Sequence, residues 1–186
     1  TGILEVIREN IISVLKTISY QNTIENIYRV DKSTGLNSAE YLYGLGKRTI
    51  DKYGKSTVCM FSINNIEEIN ENYGRKIGTE LIVQIANSVK SNISSEYVFV
   101  RYMGPKFAIV FSGVETNETI EFVTKIKQTL ESIRIEGKNK KIEPVKPVIN
   151  FVLGSYYKGT GLEEVTKKLE EYIDNADKTE SEINCI

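Results

Sequence analysis

The run TVCMFSI (57–63) constrains the fold more than any other stretch of this chain. It is rich in residues that favour strands and almost wholly apolar, so as a strand it has no face suited to water. Such a strand needs cover on both sides, and the sequence around it supplies helices. Leu81, Ile82, Ile85, Ala86 and Val89 recur at helical spacing and predict a helix over 78–91, with a shorter one over 66–72 before Tyr73 and Gly74. Residues 97–102 and 107–111 read as two short strands joined by Met103-Gly-Pro-Lys106, with Gly104 and Pro105 forming the turn. A further helix is expected over 116–133, with Thr116 as its N-cap and Ile120, Phe122, Val123, Ile126 and Leu130 as its apolar side. Residues 136–146 are charged and loop-like. Residues 148–153 predict a strand ending at Gly154, and 162–176 a closing helix. This order implies an α/β sandwich, a central mixed sheet with helices on both faces.

Ahead of that unit, residues 3–28 read as one amphipathic helix. Leu4, Ile7, Ile11, Val14 and Ile18 recur at alternating steps of three and four, the spacing of a coiled-coil seam. Gln21 and Glu25 then fall where the next seam residues belong. Two heptads leave two readings open: a dimerising helix, or an amphipathic helix lying on its own domain. Residues 31–36 form a turn-like break, with Gly35 free to take a positive φ, and a helix is expected over 38–53, ending at Gly54. The division expected is a signalling helix over 1–30 and a domain over 31–186. The chain opens at Thr1 without methionine, as expected of a piece of a larger protein.

Composition removes several function classes. There is no histidine, which excludes His-based nucleophile schemes, His general bases and the common zinc sites. With 24 basic and 25 acidic residues, the chain lacks the basic excess of a nucleic-acid binder. No apolar run reaches the length of a membrane span, and no signal peptide is visible. Cys59 lies in the apolar run, far from Cys185 and in no CxxC pair, so a reducing, cytoplasmic setting is expected, with tethering to a membrane left to the rest of a longer protein.

Three separated segments carry a resemblance. Asp31-x-x-Thr34-Gly35-Leu36 is similar to a D-x-L-T-G-L motif. SINNIEEINENYGRKIGTEL (62–81) aligns without a gap on D-I-D-x-F-K-x-I-N-D-x-Y-G-H-x-x-G-D-x-L. Arg101-Tyr-Met-Gly-Pro-Lys-Phe-Ala-Ile-Val110 is similar to R-Y-G-G-D-E-F-A-I-I. Their order and spacing resemble those of the GGDEF (diguanylate cyclase) family over about residues 31–177. The resemblance implies a domain that makes cyclic di-GMP from two GTP molecules, each held by one half of a dimer, with two divalent metal ions bridging the phosphates. It further implies carboxylate ligands for those ions, from the Asp after the central strand and the acidic pair of the signature.

At those positions this chain departs from the family. Ser62 and Asn64 stand for the two aspartates of D-I-D, Met103 and Gly104 for the two glycines, and Pro105 and Lys106 for the acidic pair. The carboxylates expected to hold metal are gone, and one has become a cation. Of the guanine-contacting positions the resemblance implies, Asn70 remains, with Glu71 beside it, whereas Thr79 replaces an aspartate. Losing that charge-assisted bond costs about 1.5–3 kcal/mol. Of A-D-K-A-L-Y-x-A-K, only Ala176-Asp177-Lys178 remains, and Asn184 stands where the last lysine would be. The R-x-x-D of the family's inhibitory site corresponds to Ser94 and Tyr97, so cyclic di-GMP is not expected at the usual place.

What survives is explicable as packing and turns: Gly35, Tyr73, Gly74, Gly78, Gly104 and Phe107. Arg101 has two readings, a phosphate contact or a cross-strand salt bridge. Glu67, Glu68 and Glu71 read as an exposed helix face, and 138–141 (KNKK) as a solvated loop. The reading that follows is a catalytically inactive domain, with no cofactor and no metal. It would regulate or transmit signals in a larger bacterial protein, through a homodimer formed by the N-terminal helix or through a protein partner. The alternative is a sensor that binds GTP weakly and controls an attached or partner enzyme. A working cyclase ranks third, because nothing replaces the metals.

Overall fold

The computed structural model describes residues 2–27, 30–135, 143–144 and 146–186, with backbone only for 21–27. Helix α1 (Gly2–Ile27) is followed by α2 (39–50), β1 (Lys55–Ile63), α3 (Ile66–Tyr73), α4 (Arg75–Asn92), β2 (Val98–Met103), β3 (Lys106–Ser112), α5 (Thr116–Glu131), β4 (Ile149–Tyr157), α6 (Leu162–Asp174) and β5 (Ile183–Cys185). The sheet runs β2-β3-β1-β4-β5, antiparallel except for the parallel pair β4–β5.

The apolar run is the middle of that sheet, as its composition demands, and its residues alternate between two cores. Cys59, Phe61 and Ile63 face one core with Leu81, Ile85 and Val89 of α4 and Val123, Ile126 and Leu130 of α5. Val58 and Met60 face the other, with Leu42 and Ile50 of α2 and Leu162, Leu169 and Ile173 of α6. Phe61 stacks against Phe107 with ring centroids 5.1 Å apart, fixing the β1–β3 register at the site described below.

Several expectations shift at their edges. Helix α4 starts at Arg75, three residues before Gly78, because Gly74 at φ 91° already breaks the chain. Gly154 does not end β4, which runs on to Tyr157 because β1 pairs with it out to Lys55. The N-cap of α5 is Glu115, not Thr116, whose hydroxyl lies 3.1 Å from that of Ser155 and 3.4 Å from that of Thr57 instead. Within α2, residues Leu42–Gly46 form a turn of π-helix that periodicity does not encode. β5 is an addition: three residues pair beside β4, with Asn184 opposite Val152, too short to show an alternation. The loop predicted over 136–146 lies mostly outside the described residues.

α1 does not lie on its own domain. Residues 2–20 are exposed throughout, Leu4, Ile11 and Val14 at 70, 55 and 58%. Among the described residues, no helix is long and apolar enough to cross a membrane.

Candidate functional site

The hairpin between β2 and β3 turns on two residues. A two-residue loop needs a positive φ at its first position, and Gly104 supplies it at 57°, with Pro105 holding the second at negative φ. The turn is tied down on both sides: Arg101 Nε donates to the Gly104 carbonyl at 2.9 Å, and the Ile63 N–H donates to that of Pro105 at 3.2 Å. Met103 projects outward, 59% exposed.

Where the hairpin rejoins the sheet, Lys106 lies opposite Ser62, and Ser62 opposite Asn150. These three residues form one row across β3, β1 and β4 on the face covered by α6. Lys106 Nζ reaches Glu170 at 2.9 Å and Asp174 at 2.7 Å, one helical turn apart on α6. Its side chain is only 14% exposed. Burial alone would lower the ammonium's pKa, but the bonds to Asp174 and Glu170 outweigh it and raise it, so the charge is kept. Ser62 is buried, and Asn150 donates from Nδ2 to the Asp177 carbonyl at 2.5 Å while its Oδ1 accepts the Glu182 N–H. Asn64 donates to the Ile173 carbonyl at 3.4 Å, while its Oδ1 is buried without a protein partner.

Asn70, Glu71 and Thr79 belong to the α3–α4 corner. Helix α4 passes close to α3 because Gly78 has no side chain: a Cβ there would sit 1.9 Å from Asn70 Oδ1. Asn70 is therefore half-buried against a glycine, while Glu71 is exposed and Thr79 bonds back to the Arg75 carbonyl at 2.9 Å. Gly78→Ala is expected to cost about 2 kcal/mol by overpacking, and Asn70→Ala in the same chain to restore most of it; chemical denaturation of the three variants measures this.

Ser94 and Tyr97 line an open cleft of about 670 Å³ between α2, the end of α4 and β2, together with Tyr41, Tyr53, Lys52 and Phe99. The Tyr97 ring packs on Phe111 at 5.1 Å, and the Ser94 carbonyl and hydroxyl accept the N–H groups of Tyr97 and Glu96.

Arg101 does not make the expected cross-strand salt bridge. Phe107 is its partner across the strands, and its guanidinium reaches instead to the turn after α1. Nη1 lies 3.1 Å from each carboxylate oxygen of Asp31 and 3.0 Å from the Ser33 hydroxyl. Asp31 also accepts from the Thr34 N–H at 2.8 Å, the Thr34 hydroxyl at 2.6 Å and the Ser33 hydroxyl at 2.9 Å. Burial would push this carboxyl up; the hydrogen bonds from Thr34, Ser33 and Arg101 overcome it and hold the pKa well below the usual range. The sequence pattern identified Asp31 and Thr34 but not their link to Arg101.

The sequence model of the family described as "Diguanylate cyclase, GGDEF domain" matches residues 28–182, which takes in strands β1 to β4 of the sheet and the buried residues of both cores. The chain belongs to the GGDEF family. Diguanylate cyclase DosC of Escherichia coli is 26% identical over 134 residues, which cover 69% of this chain and 29% of DosC. YtrP of Bacillus subtilis is 29% identical over 94 residues, 50% of this chain and 16% of that protein. This GGDEF domain thus spans less than a third of the length of either of these two relatives. Among solved structures, the diguanylate cyclase SiaD of Pseudomonas aeruginosa, crystallised with its activator SiaC, superposes with a TM-score of 0.76 at 11% identity, over 98% of this chain and 71% of SiaD. The GGDEF domain of DgcB from Caulobacter crescentus, in complex with c-di-GMP, gives 0.75 at 12% identity, over 84% and 94%. These likenesses fix the fold.

The metal ions of the family do not fit the residues of this GGDEF domain. Hard divalent cations require oxygen ligands, chiefly carboxylates. The row that would hold them presents a serine hydroxyl, a carboxamide and an ammonium, with the carboxamide of Asn64 beside it, and the ammonium engages the carboxylates of Glu170 and Asp174. Among the described residues, no three His, Cys, Asp or Glu side chains are grouped to hold a metal ion.

Proposed function

We propose that this GGDEF domain makes no cyclic di-GMP and serves as a regulatory, signal-transmitting module of a larger bacterial protein, acting through self-association or protein contacts. One observation carries the reading: Lys106, at the position of a metal-binding acid, is ion-paired to Glu170 and Asp174 beneath the hairpin. An ammonium held at that point repels Mg²⁺ and cross-links the hairpin to α6, turning a ligand position into a structural tie. Loss of both metals removes the stabilisation of charge at the attacking and leaving oxygens.

SiaD, crystallised with its activator SiaC, is an instance of a related cyclase engaged by a protein partner. For the present chain, the exposed α1 offers an apolar surface for contacts of this general kind. A GTP-sensing role is less well supported. Asn70 is half-buried against Gly78, and Thr79 spends its hydroxyl on its own helix.

The test is incubation of the purified chain with GTP and Mg²⁺ or Mn²⁺, with chromatographic detection of product, beside calorimetric titration with GTP in Mg²⁺ and in EDTA. No cyclic di-GMP and no binding heat is the expected result. Metal-dependent product would overturn the reading, and saturable binding lost in Asn70→Ala would establish the sensor in its place.

A further inference from the structure

β2 is an edge strand of the sheet, and its free edge is only partly covered. Asn37 pairs with Val100 in a parallel bridge, and the Arg101 N–H donates outward to the Asn37 carbonyl at 3.0 Å. Inward and outward bonding alternate along a strand, so Arg101 fixes the pattern. Val98 and Val100 direct their backbone groups to β3, and Phe99, like Arg101, points its N–H away from the sheet. The covering segment reaches no further along β2. The chain swings away at Gly35, at φ 69°, where the N–H is spent on the Asp31 carbonyl. No described residue accepts the Phe99 N–H, so a strand donor is left open beside Asn37.

That donor belongs to the wall of the 670 Å³ cleft. The cleft straddles the edge: Tyr41 and Tyr53 line it from the α2 side, Tyr97 from the α4 side, with Val98 and Phe99 between them. Val98 packs into the α2–α6 core while the Phe99 ring lies 6.2 Å from that of Phe61 in the other. The charge of the cleft is one-sided. Lys52 and Lys90 line it against a single acid, Glu96. Lys90 Nζ donates to the neutral Thr34 carbonyl at 2.6 Å, and among the described residues neither lysine is ion-paired to a carboxylate. A cyclic dinucleotide finds no guanidinium or carboxylate at residues 94 and 97. The Ser94 hydroxyl accepts the Glu96 N–H, and the Tyr97 ring packs on Phe111. An extended chain suits the place better, since it brings its own backbone acceptor to an open strand edge and sets side chains between aromatic walls.

We infer that the cleft on the β2 edge docks an extended acidic segment of a partner protein. A backbone carbonyl of the segment accepts the Phe99 N–H, so that the segment prolongs the pairing that Asn37 begins, and its Asp or Glu side chains meet Lys52 and Lys90. The inference rests on the proposed function in taking protein contacts as a mode of action, and it names the surface and the chemistry of the partner.

The probe is a phage-displayed library of random nonapeptides, panned on the whole 186-residue chain. Selected sequences should be rich in Asp and Glu among strand-favouring residues, and a fluorescein-labelled synthetic copy should bind with micromolar affinity. Lys52→Glu should weaken that peptide roughly fivefold, mainly by slowing association. Lys52 is exposed and unpaired among the described residues, so the variant should melt with the wild type. Amide exchange followed by NMR reads the strand contact itself. In the free chain the Phe99 amide should exchange faster than those of Val98 and Val100, and peptide should slow Phe99 selectively. No enrichment in the panning, equal binding by Lys52→Glu, or a complex in which Phe99 exchanges as before would each overturn the inference. All three leave the self-association arm of the proposed function standing, whereas synthesis of cyclic di-GMP overturns that function without touching the cleft.

Discussion

Lys106→Glu is expected to destabilise this GGDEF domain by about 3 kcal/mol, the low end for breaking a buried ion pair. Two effects add. The ammonium that neutralises Glu170 and Asp174 disappears, and a third carboxylate takes its place within contact distance of both. Glu170, at 21% exposure, bears most of the cost, whereas Asp174, at 54%, is screened by water and bears less. At roughly 2–4 °C per kcal/mol for a domain of this size, the melting temperature should fall by about 6–12 °C. Combining Lys106→Glu with Glu170→Lys re-pairs the charges across the same gap and should recover most of the loss, which a simple packing defect would not do. Millimolar Mg²⁺ should raise the melting temperature of the single variant and leave the wild type unmoved, because only the variant brings three carboxylate groups together. Equal loss in the single and the charge-swapped chain would show that Lys106 acts by shape and not by charge.

The sequence announced much of this arrangement, and physical reasons separate what it announced from what it withheld. The 57–63 run could only be a doubly covered strand, and it is β1. Helices α4 and α5 followed from apolar spacing because each packs one stripe on the sheet. The family positions Ser62, Asn64, Pro105 and Lys106 fell out of three colinear motifs, and strand register does bring Ser62 and Lys106 face to face. What pattern reading missed depends on contacts between distant segments. Nothing local links Lys106 to Glu170, 64 residues later, or Arg101 to Asp31, 70 residues earlier. Asn150 joined the row unseen, since a polar residue in an apolar strand shows its purpose only when its neighbours across the sheet are known. The π-turn in α2 and the three-residue β5 were invisible because both are fixed by tertiary packing, not by a periodicity. Asn70 shows the converse: the motif marked it as a ligand position, and the α3–α4 contact shows its amide packed against Gly78.

Asp31→Ala should cost about 3 kcal/mol at neutral pH, since hydrogen bonds to a charged group are worth about 1.5–3 kcal/mol and several are lost together. The Thr34 N–H and hydroxyl, the Ser33 hydroxyl and the Arg101 guanidinium all lose their acceptor. Arg101, 20% exposed, is left as a partly buried cation without its counter-charge, held by the Ser33 hydroxyl and by the carbonyl of Gly104 at the hairpin tip. The damage therefore spreads from the turn after α1 to the signature hairpin, and amide exchange should quicken at both places. The pH dependence identifies the cause. The folded-state carboxyl lies below its ordinary value of 3.8, so its stabilisation is complete above that value and is lost as pH falls through and beneath it. Wild-type stability should accordingly decline from about pH 5 downward, and the Asp31→Ala chain should decline less steeply. Some slope will remain, because Asp51 is lowered too, its burial outweighed by bonds from Lys47 and Tyr156, as is Asp177 by its bonds from Thr179. Arg101→Ala removes one of Asp31's partners but leaves the Thr34 and Ser33 bonds, so it should keep most of the acid slope while loosening the hairpin. Identical pH profiles for wild type and Asp31→Ala would mean that the turn is held by its backbone bonds, Gly35 N–H to the Asp31 carbonyl and Asp31 N–H to the Leu36 carbonyl, and not by the carboxylate.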